Sequence, residues 1–346
     1  MKNIVRAIPL FLIFMWFAYF SPYFGPDHSK KNEEPATKQT RQVDPTGTNM
    51  TVLPTNGFAQ YIGKDFSVLE NEFGQPDRVD ETAYGYQSYI YAKDPQHYLQ
   101  VGVKEHKVVT IYALGTALDV APFQMDMYLD DLYSIITIVP EVAFKYEQNN
   151  YQLELTEEDM NYLPLVCFEN ESYAALEIDS QTNQVVSLRY FDKETLLRVA
   201  PYDVSGLNQL EALPTIDAEE WKKIDESNRK QTMEIFNVIR QRAQLPEFTT
   251  TEAIDLICKM YQQQIFHESP KEADLKQQLT DLFTEHQIKA QRFSYFVESI
   301  KPDAPSVVDK VLRTSAYHQQ LFDPQLNHFS IHFLEDNIFG LFVQSE

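Results

Sequence analysis

Three polar side chains near the C-terminal end of the chain have the types and surroundings that a reactive cleft needs. His267 stands in Phe266-His267-Glu268-Ser269-Pro270, Glu298 in Val297-Glu298-Ser299-Ile300, and His318 in Ser315-Ala316-Tyr317-His318. Each is embedded in apolar or turn context, so folding can bring all three to one hollow. Two neutral imidazoles facing one cavity can hold Zn²⁺ or a related divalent ion, with Glu298 as a ligand or as the acceptor that fixes a tautomer. Alternatively, a histidine titrating near neutrality beside a carboxylate serves as a general base. Hydrolysis then also needs a nucleophile or an activated water, and Ser315 and Ser269 lie nearby in sequence. The competing reading is that both histidines simply hydrogen-bond within a polar core.

The elements that must position these groups begin with a long amphipathic helix from near Ser227. There Met233, Ile235, Phe236, Ile239 and Ala243 fall at helical spacing, and Leu245-Pro246-Glu247-Phe248 ends the run. Thr251 or a neighbouring threonine caps the next helix, which carries Ala253, Ile254, Ile257, Cys258 and Tyr261 inward. Upstream, Asp65 to Phe73 reads as a helix stopped by Gly74-Gln75-Pro76. Strand-like runs follow at Tyr86 to Tyr91, Tyr98 to Val103 and Val108 to Tyr112. A helical stretch within Phe123 to Ile138 and strands at Val142 to Tyr146, Tyr151 to Leu155, Tyr173 to Ile178 and Val185 to Tyr190 read as a second, divergent copy of the unit. Residues 57–203 are thus expected to be an α+β domain of two helix-meander half-modules. The Asp77-Arg78 pair is expected to stabilise a turn.

Bulk composition narrows the class. The chain has 346 residues, enough for two domains, and 43% hydrophobic with 13% aromatic residues supply packed cores. Net charge is −22, which repels nucleic acid and anionic lipid headgroups. Cys167 and Cys258 sit in apolar runs and are expected to be buried free thiols. Low cysteine usage outside the cytoplasm fits a Gram-positive bacterium.

At the N-terminus Lys2 and Arg6 precede an apolar run from Ile8 to Phe20 that continues through Pro22-Tyr23-Phe24. This has the charged and apolar regions of an export signal without an Ala-x-Ala-type cleavage site. The stretch is near the roughly 17-residue lower limit for spanning a bilayer. Residues 1–24 read as an uncleaved signal anchor, with a cleaved signal peptide as the alternative. Residues 25–56 read as a disordered linker, poor in large apolar side chains, and residues 204–226 as an acidic joint.

The ordered set of motifs over residues 227–344 resembles the CAP superfamily of cysteine-rich secretory proteins, antigen 5 and pathogenesis-related proteins, also called SCP-like. Ile235-Phe236-Asn237-Val238-Ile239-Arg240 with Leu245-Pro246-Glu247-Phe248 looks like its opening helix and turn. The segments around His267, Glu298 and His318 look like those supplying its cavity residues. The resemblance implies an α/β/α sandwich for residues 227–346, with Phe329 to Phe333 and Ile338 to Val343 as the closing hairpin. It departs from the family at Val297, Ser299 and Leu312, and at Ser330 and His332, which stand where two glycines are usual. His286, His328 and His332 match no cavity position and are read as surface or strand residues. Phe73-Gly74-Gln75-Pro76-Asp77-Arg78, Tyr84-Gly85-Tyr86 and Leu188-Arg189-Tyr190 resemble the CAP-associated N-terminal domain of some Firmicute proteins.

The expectation is a membrane-tethered extracytoplasmic protein with a recognition or scaffolding role at the cell envelope and a degenerate cavity formed by His267, Glu298, His318 and Ser315. Its partner would be an extracellular protein, a peptide or a cell-wall ligand. The alternative is a metal-dependent or serine-type hydrolase of peptides or envelope components, with His267 and His318 holding Zn²⁺ or another divalent cation. Lipid or sterol carriage finds no supporting apolar pocket pattern.

Overall fold

Alternation of side chains along the middle strands decides the first layer. The computed structural model describes residues 50–206, 210–268 and 272–345, and the side chains of residues 265–268 and 272–274 lie outside that description. The expected signal anchor and most of the linker fall outside the described residues. Among those described, no helix is long and apolar enough to cross a membrane.

Helix α1 (Phe66–Phe73) begins where the Asp65 side chain accepts from the Ser67 N–H, and ends at Gly74, whose φ of 78° suits glycine. Strands β2 (Arg78–Glu81), β3 (Gln87–Tyr91), β4 (Leu99–Lys104) and β5 (Lys107–Ala113) then form an antiparallel meander. The later strands β8 (Leu165–Phe168), β9 (Tyr173–Ile178) and β10 (Val185–Phe191) join it through β10 against β5, with Leu188 opposite Ala113. A short β1 (Val52–Leu53) completes an eight-stranded sheet in the order β1-β8-β9-β10-β5-β4-β3-β2. Strands β6 (Glu141–Tyr146) and β7 (Asn149–Glu154) pair apart from it, in a small sheet with β11 (Asp203–Ser205). The first expected meander therefore shares one sheet with β9 and β10. Helices α2 (Leu129–Ile135), α3 (Glu157–Tyr162) and α4 (Lys193–Val199) connect these strands.

One face of the large sheet is apolar. Val101, Ile111, Leu176 and Leu188 pack there with Phe58, Leu69 and Leu132. The alternate positions Gln100, Glu177, Ser187 and Arg189 are polar yet buried, so this second face is also covered. The C-terminal domain covers the polar stretch, with Arg189 bonded to Asp303, while β6, β7 and α4 pack on the same face at Tyr173, Ala175 and Phe191.

That domain starts at Asp217, whose side chain accepts from the Glu219 and Glu220 N–H groups while Glu220 reaches back. This capping box starts α5 (Ala218–Arg242) well before the expected Ser227, so the second half of the acidic joint is helix. Helices α6 (Glu252–Glu268) and α7 (Glu272–Glu285) precede strand β12 (Ala290–Ser299), and α8 (Ala304–Arg313) and α9 (Ser315–Leu321) follow it. The hairpin β13 (His328–Leu334) and β14 (Asn337–Ser345) closes the sheet, ordered β12-β14-β13. Phe296, Ile338 and Phe342 face α5 and α8. Phe339, Leu341 and Val343 face α6 and α7. The result is the expected α/β/α arrangement. Gly340 lies opposite Phe296, where a Cβ would stand 2.2 Å from the ring, so only glycine lets that ring lie flat on the strand.

The core on the α5 side continues into the middle domain: Tyr98, Tyr112, Leu114 and Val186 pack with Phe236, Val311 and Leu312. Both cysteines are free, Cys258 buried and Cys167 half-buried.

Candidate functional site

Strand alternation turns Glu298, like Phe296, toward α8 and α9. There Glu298 Oε1 accepts a 2.8 Å hydrogen bond from the Tyr317 hydroxyl, and Lys310 Nζ lies 3.5 Å from Oε2. Burial, aided by the Glu298 carboxylate, pushes the Tyr317 phenol above its ordinary range. His318 is the next residue on α9 and turns elsewhere. Its Nε2 lies 3.0 Å from Asp179 Oδ1 of the middle domain, and its ring stacks on Phe322 at 4.4 Å. Burial alone would raise the Asp179 carboxyl, but His318 and the backbone N–H groups of Gln181 and Thr182 outweigh it and hold it below the usual range. Glu298 and His318 thus have different partners, and no hydrogen bond or ion pair joins them among the described residues. Ser315 opens α9 and is exposed. His267 belongs to α6 by its backbone, but its side chain, like Ser269, lies outside the described residues. No group of three or more His, Cys, Asp or Glu residues suited to a metal occurs among the described residues.

Asp179 and His318 form one link in a polar seam between the domains. Arg78 reaches across to Glu234 through two 2.7 Å bonds while also holding Asp80, and Asp80 accepts from Gln231 at 2.9 Å. Arg78 is therefore an interdomain residue rather than a turn partner of Asp77, which pairs with Lys93 instead. Arg189 makes a two-pronged pair with Asp303 at 2.6 and 2.9 Å, with both residues buried. Arg313 bridges Asp309 and the middle-domain Asp159 at 2.6 and 2.8 Å.

Beside these pairs the seam opens into a cleft of about 290 Å³. Its floor is the polar sheet face, including Tyr112, Glu177, Ser187 and Arg189, and its roof runs from Ile300 to Lys310. Glu177 is 4% exposed; Oε2 accepts from the Tyr112 hydroxyl at 3.2 Å and from the Ser187 hydroxyl by a short bond. Burial, reinforced by the neighbouring Asp309 charge, raises its pKa to about 8. Enclosure also raises Asp309 to about 6, against the pull of Arg313. Nothing in the sequence around Glu177 singled it out except an acidic residue in an otherwise apolar strand.

Residues 62–202 match the family described as CAP-associated N-terminal. Over the whole body the fold matches an extracellular protein containing a SCP domain from Bacillus anthracis, with a TM-score of 0.76 and 23% identity, covering 93% of this chain and all of that one. It also matches a cysteine-rich secretory protein from Staphylococcus aureus, with a TM-score of 0.77 and 22% identity, covering 85% and 95% of the two chains. The chain carries a CAP-associated N-terminal domain, and its fold is that of these SCP-domain structures. A membrane protein of Bacillus subtilis, the uncharacterised YlbC, is 27% identical over 337 residues, 96% of each chain.

Within the C-terminal domain the two positions expected to depart from glycine are both buried. Ser330 Oγ donates to Asp255 at 2.7 Å. His332, 2% exposed on β13, lies 3.2 Å from Asp225 and 3.3 Å from Asp255. Burial disfavours the imidazolium, but the two carboxylates outweigh it and raise the histidine pKa. Asp255, also paired with Arg229, is held well below the usual carboxylate range despite its burial. The side chains fill the space that glycine would leave and tie β13 to α5 and α6. His328, on the same strand, bonds Thr249 at 2.9 Å.

Proposed function

We propose that this chain is a membrane-tethered recognition or scaffolding protein of the CAP type at the extracytoplasmic face, whose Glu298 and His318 join parts of the fold instead of presenting a reactive centre. The carrying observation is the 3.0 Å contact between His318 Nε2 and Asp179, which directs the imidazole into the domain seam. Glu298, bonded to Tyr317 and beside Lys310, is likewise engaged. A hydrolase needs a base aimed at a water or hydroxyl, and a metal needs converging ligands. The described side chains offer neither around Glu298 and His318. The apolar N-terminal run and the similarity to a membrane protein support a tether, and an extracellular protein, peptide or cell-wall ligand is the partner class this reading entails.

The test uses the purified full chain, its His267→Ala and His318→Ala variants, elemental analysis, and casein and peptidoglycan as substrates. The expected result is neither hydrolysis nor a stoichiometric ion that depends on these histidines. Hydrolysis that disappears with the ion in both variants would replace this reading with the hydrolase one.

A further inference from the structure

The interdomain cleft has more in it than the seam requires. Arg189 is 9% exposed and lines the cleft, as well as a smaller polar cavity of about 20 Å³ behind it. Both terminal nitrogens of its guanidinium are taken by Asp303, yet its Nε has no partner. Glu177 uses only Oε2 in its bonds to Ser187 and Tyr112. Lys301, exposed at the roof, has no ion pair among the described residues, whereas Lys310 lies by Glu298 and Asp309 is held by Arg313. The walls are apolar, with Leu163, Phe191, Val199 and Ile300 among them.

These groups share one chemistry. A neutral carboxyl of Glu177 is a donor, and Lys301 is an uncompensated cation in a chain of net charge −22. Concave, mostly apolar sites with a few converging polar groups are the usual form of small-molecule sites. We propose that this cleft binds a small organic acid with an apolar body, its carboxylate meeting Glu177 and Lys301 and its body lying against Leu163, Phe191, Val199 and Ile300. The proposal goes beyond the recognition reading above by adding a small-molecule ligand to the partner named there. The cleft is open to the domain seam, so a bound acid touches both domains at once.

The probe is 4-fluorobenzoate, with 4-fluorobenzamide as its uncharged counterpart, titrated by fluorine NMR into the full chain in detergent against detergent alone. Saturable binding of the acid, at least tenfold tighter than the amide, is expected. Lys301→Glu, a change at an exposed position, should weaken the acid by tenfold or more. Raising the pH from 7 to 9 should weaken wild-type binding by about tenfold as Glu177 ionises, while Glu177→Gln, which keeps a donor without a charge, should show no such loss. Equal binding of acid and amide, an unchanged Lys301→Glu variant, or no saturable binding overturns the proposal. None of these outcomes depends on the hydrolysis assay, which bears on the recognition reading alone.

Discussion

Glu177 sets how stability should vary with pH. Its pKa is raised from 4.5 to about 8 in the folded chain, so the native state keeps a proton that the unfolded chain has released. Its contribution is complete below about pH 4.5 and is lost as pH rises through about 8, at most on the order of 5 kcal/mol. The raised Asp309 acts in the same direction, whereas the depressed Asp179 and Asp255 lose their contributions only as pH falls through their folded values. Urea unfolding of the wild type should show falling stability from pH 5 to 8, and Glu177→Gln should flatten most of that fall. A parallel decline in the variant would show that Glu177 is ionised in the fold. The sequence could not reveal this: Glu177 stands in Ala-Ala-Leu-Glu-Ile, a strand pattern that places it on one face without saying what covers that face.

At the scale of elements, local chemistry was widely legible. Asp65, Gly74 and Pro76 bound α1, and the runs of branched and aromatic residues correspond to β3, β4, β5, β9 and β10 within a residue or two. The start of α5 was hidden because its first turns are acidic and exposed; the capping box at Asp217 and Glu220, not apolar spacing, begins it. The closing hairpin depends on a position that periodicity alone passes over. Gly340→Ala would drive a methyl into the buried Phe296 ring and should cost about 1–3 kcal/mol in urea unfolding. Phe296→Leu in the same chain should recover part of that loss. An unchanged midpoint for Gly340→Ala would mean that β12 and β14 move apart without penalty.

The whole molecule behaves as one body from the middle sheet to the last strand, because the domains share an apolar core as well as ion pairs. Tyr98, Tyr112, Leu114 and Val186 belong to the same cluster as Phe236 and Leu312. Residues 217–346 expressed alone should therefore lose fixed tertiary packing, seen as weak near-ultraviolet dichroism and early thermal melting, while the full chain melts cooperatively. A well-packed isolated C-terminal domain would show that the shared cluster contributes little. The buried Arg189–Asp303 pair adds to the argument, since removing one partner of such a pair commonly costs roughly 3–5 kcal/mol.

The residue order by itself determined many element types, through periodicity and caps, and the CAP resemblance, through an ordered set of short motifs; that resemblance in turn implied the α/β/α pattern of the C-terminal domain. It also marked His318 and Glu298 as unusual polar residues. Only the tertiary structure decided what they meet: Asp179 lies 139 positions from His318 and Tyr317 lies 19 from Glu298. Nor could sequence show that the alternating polar residues of β5, β9 and β10 form a covered face. A strand's period of two separates its sides, but which side is buried depends on the element packed against it, and here that element is a second domain.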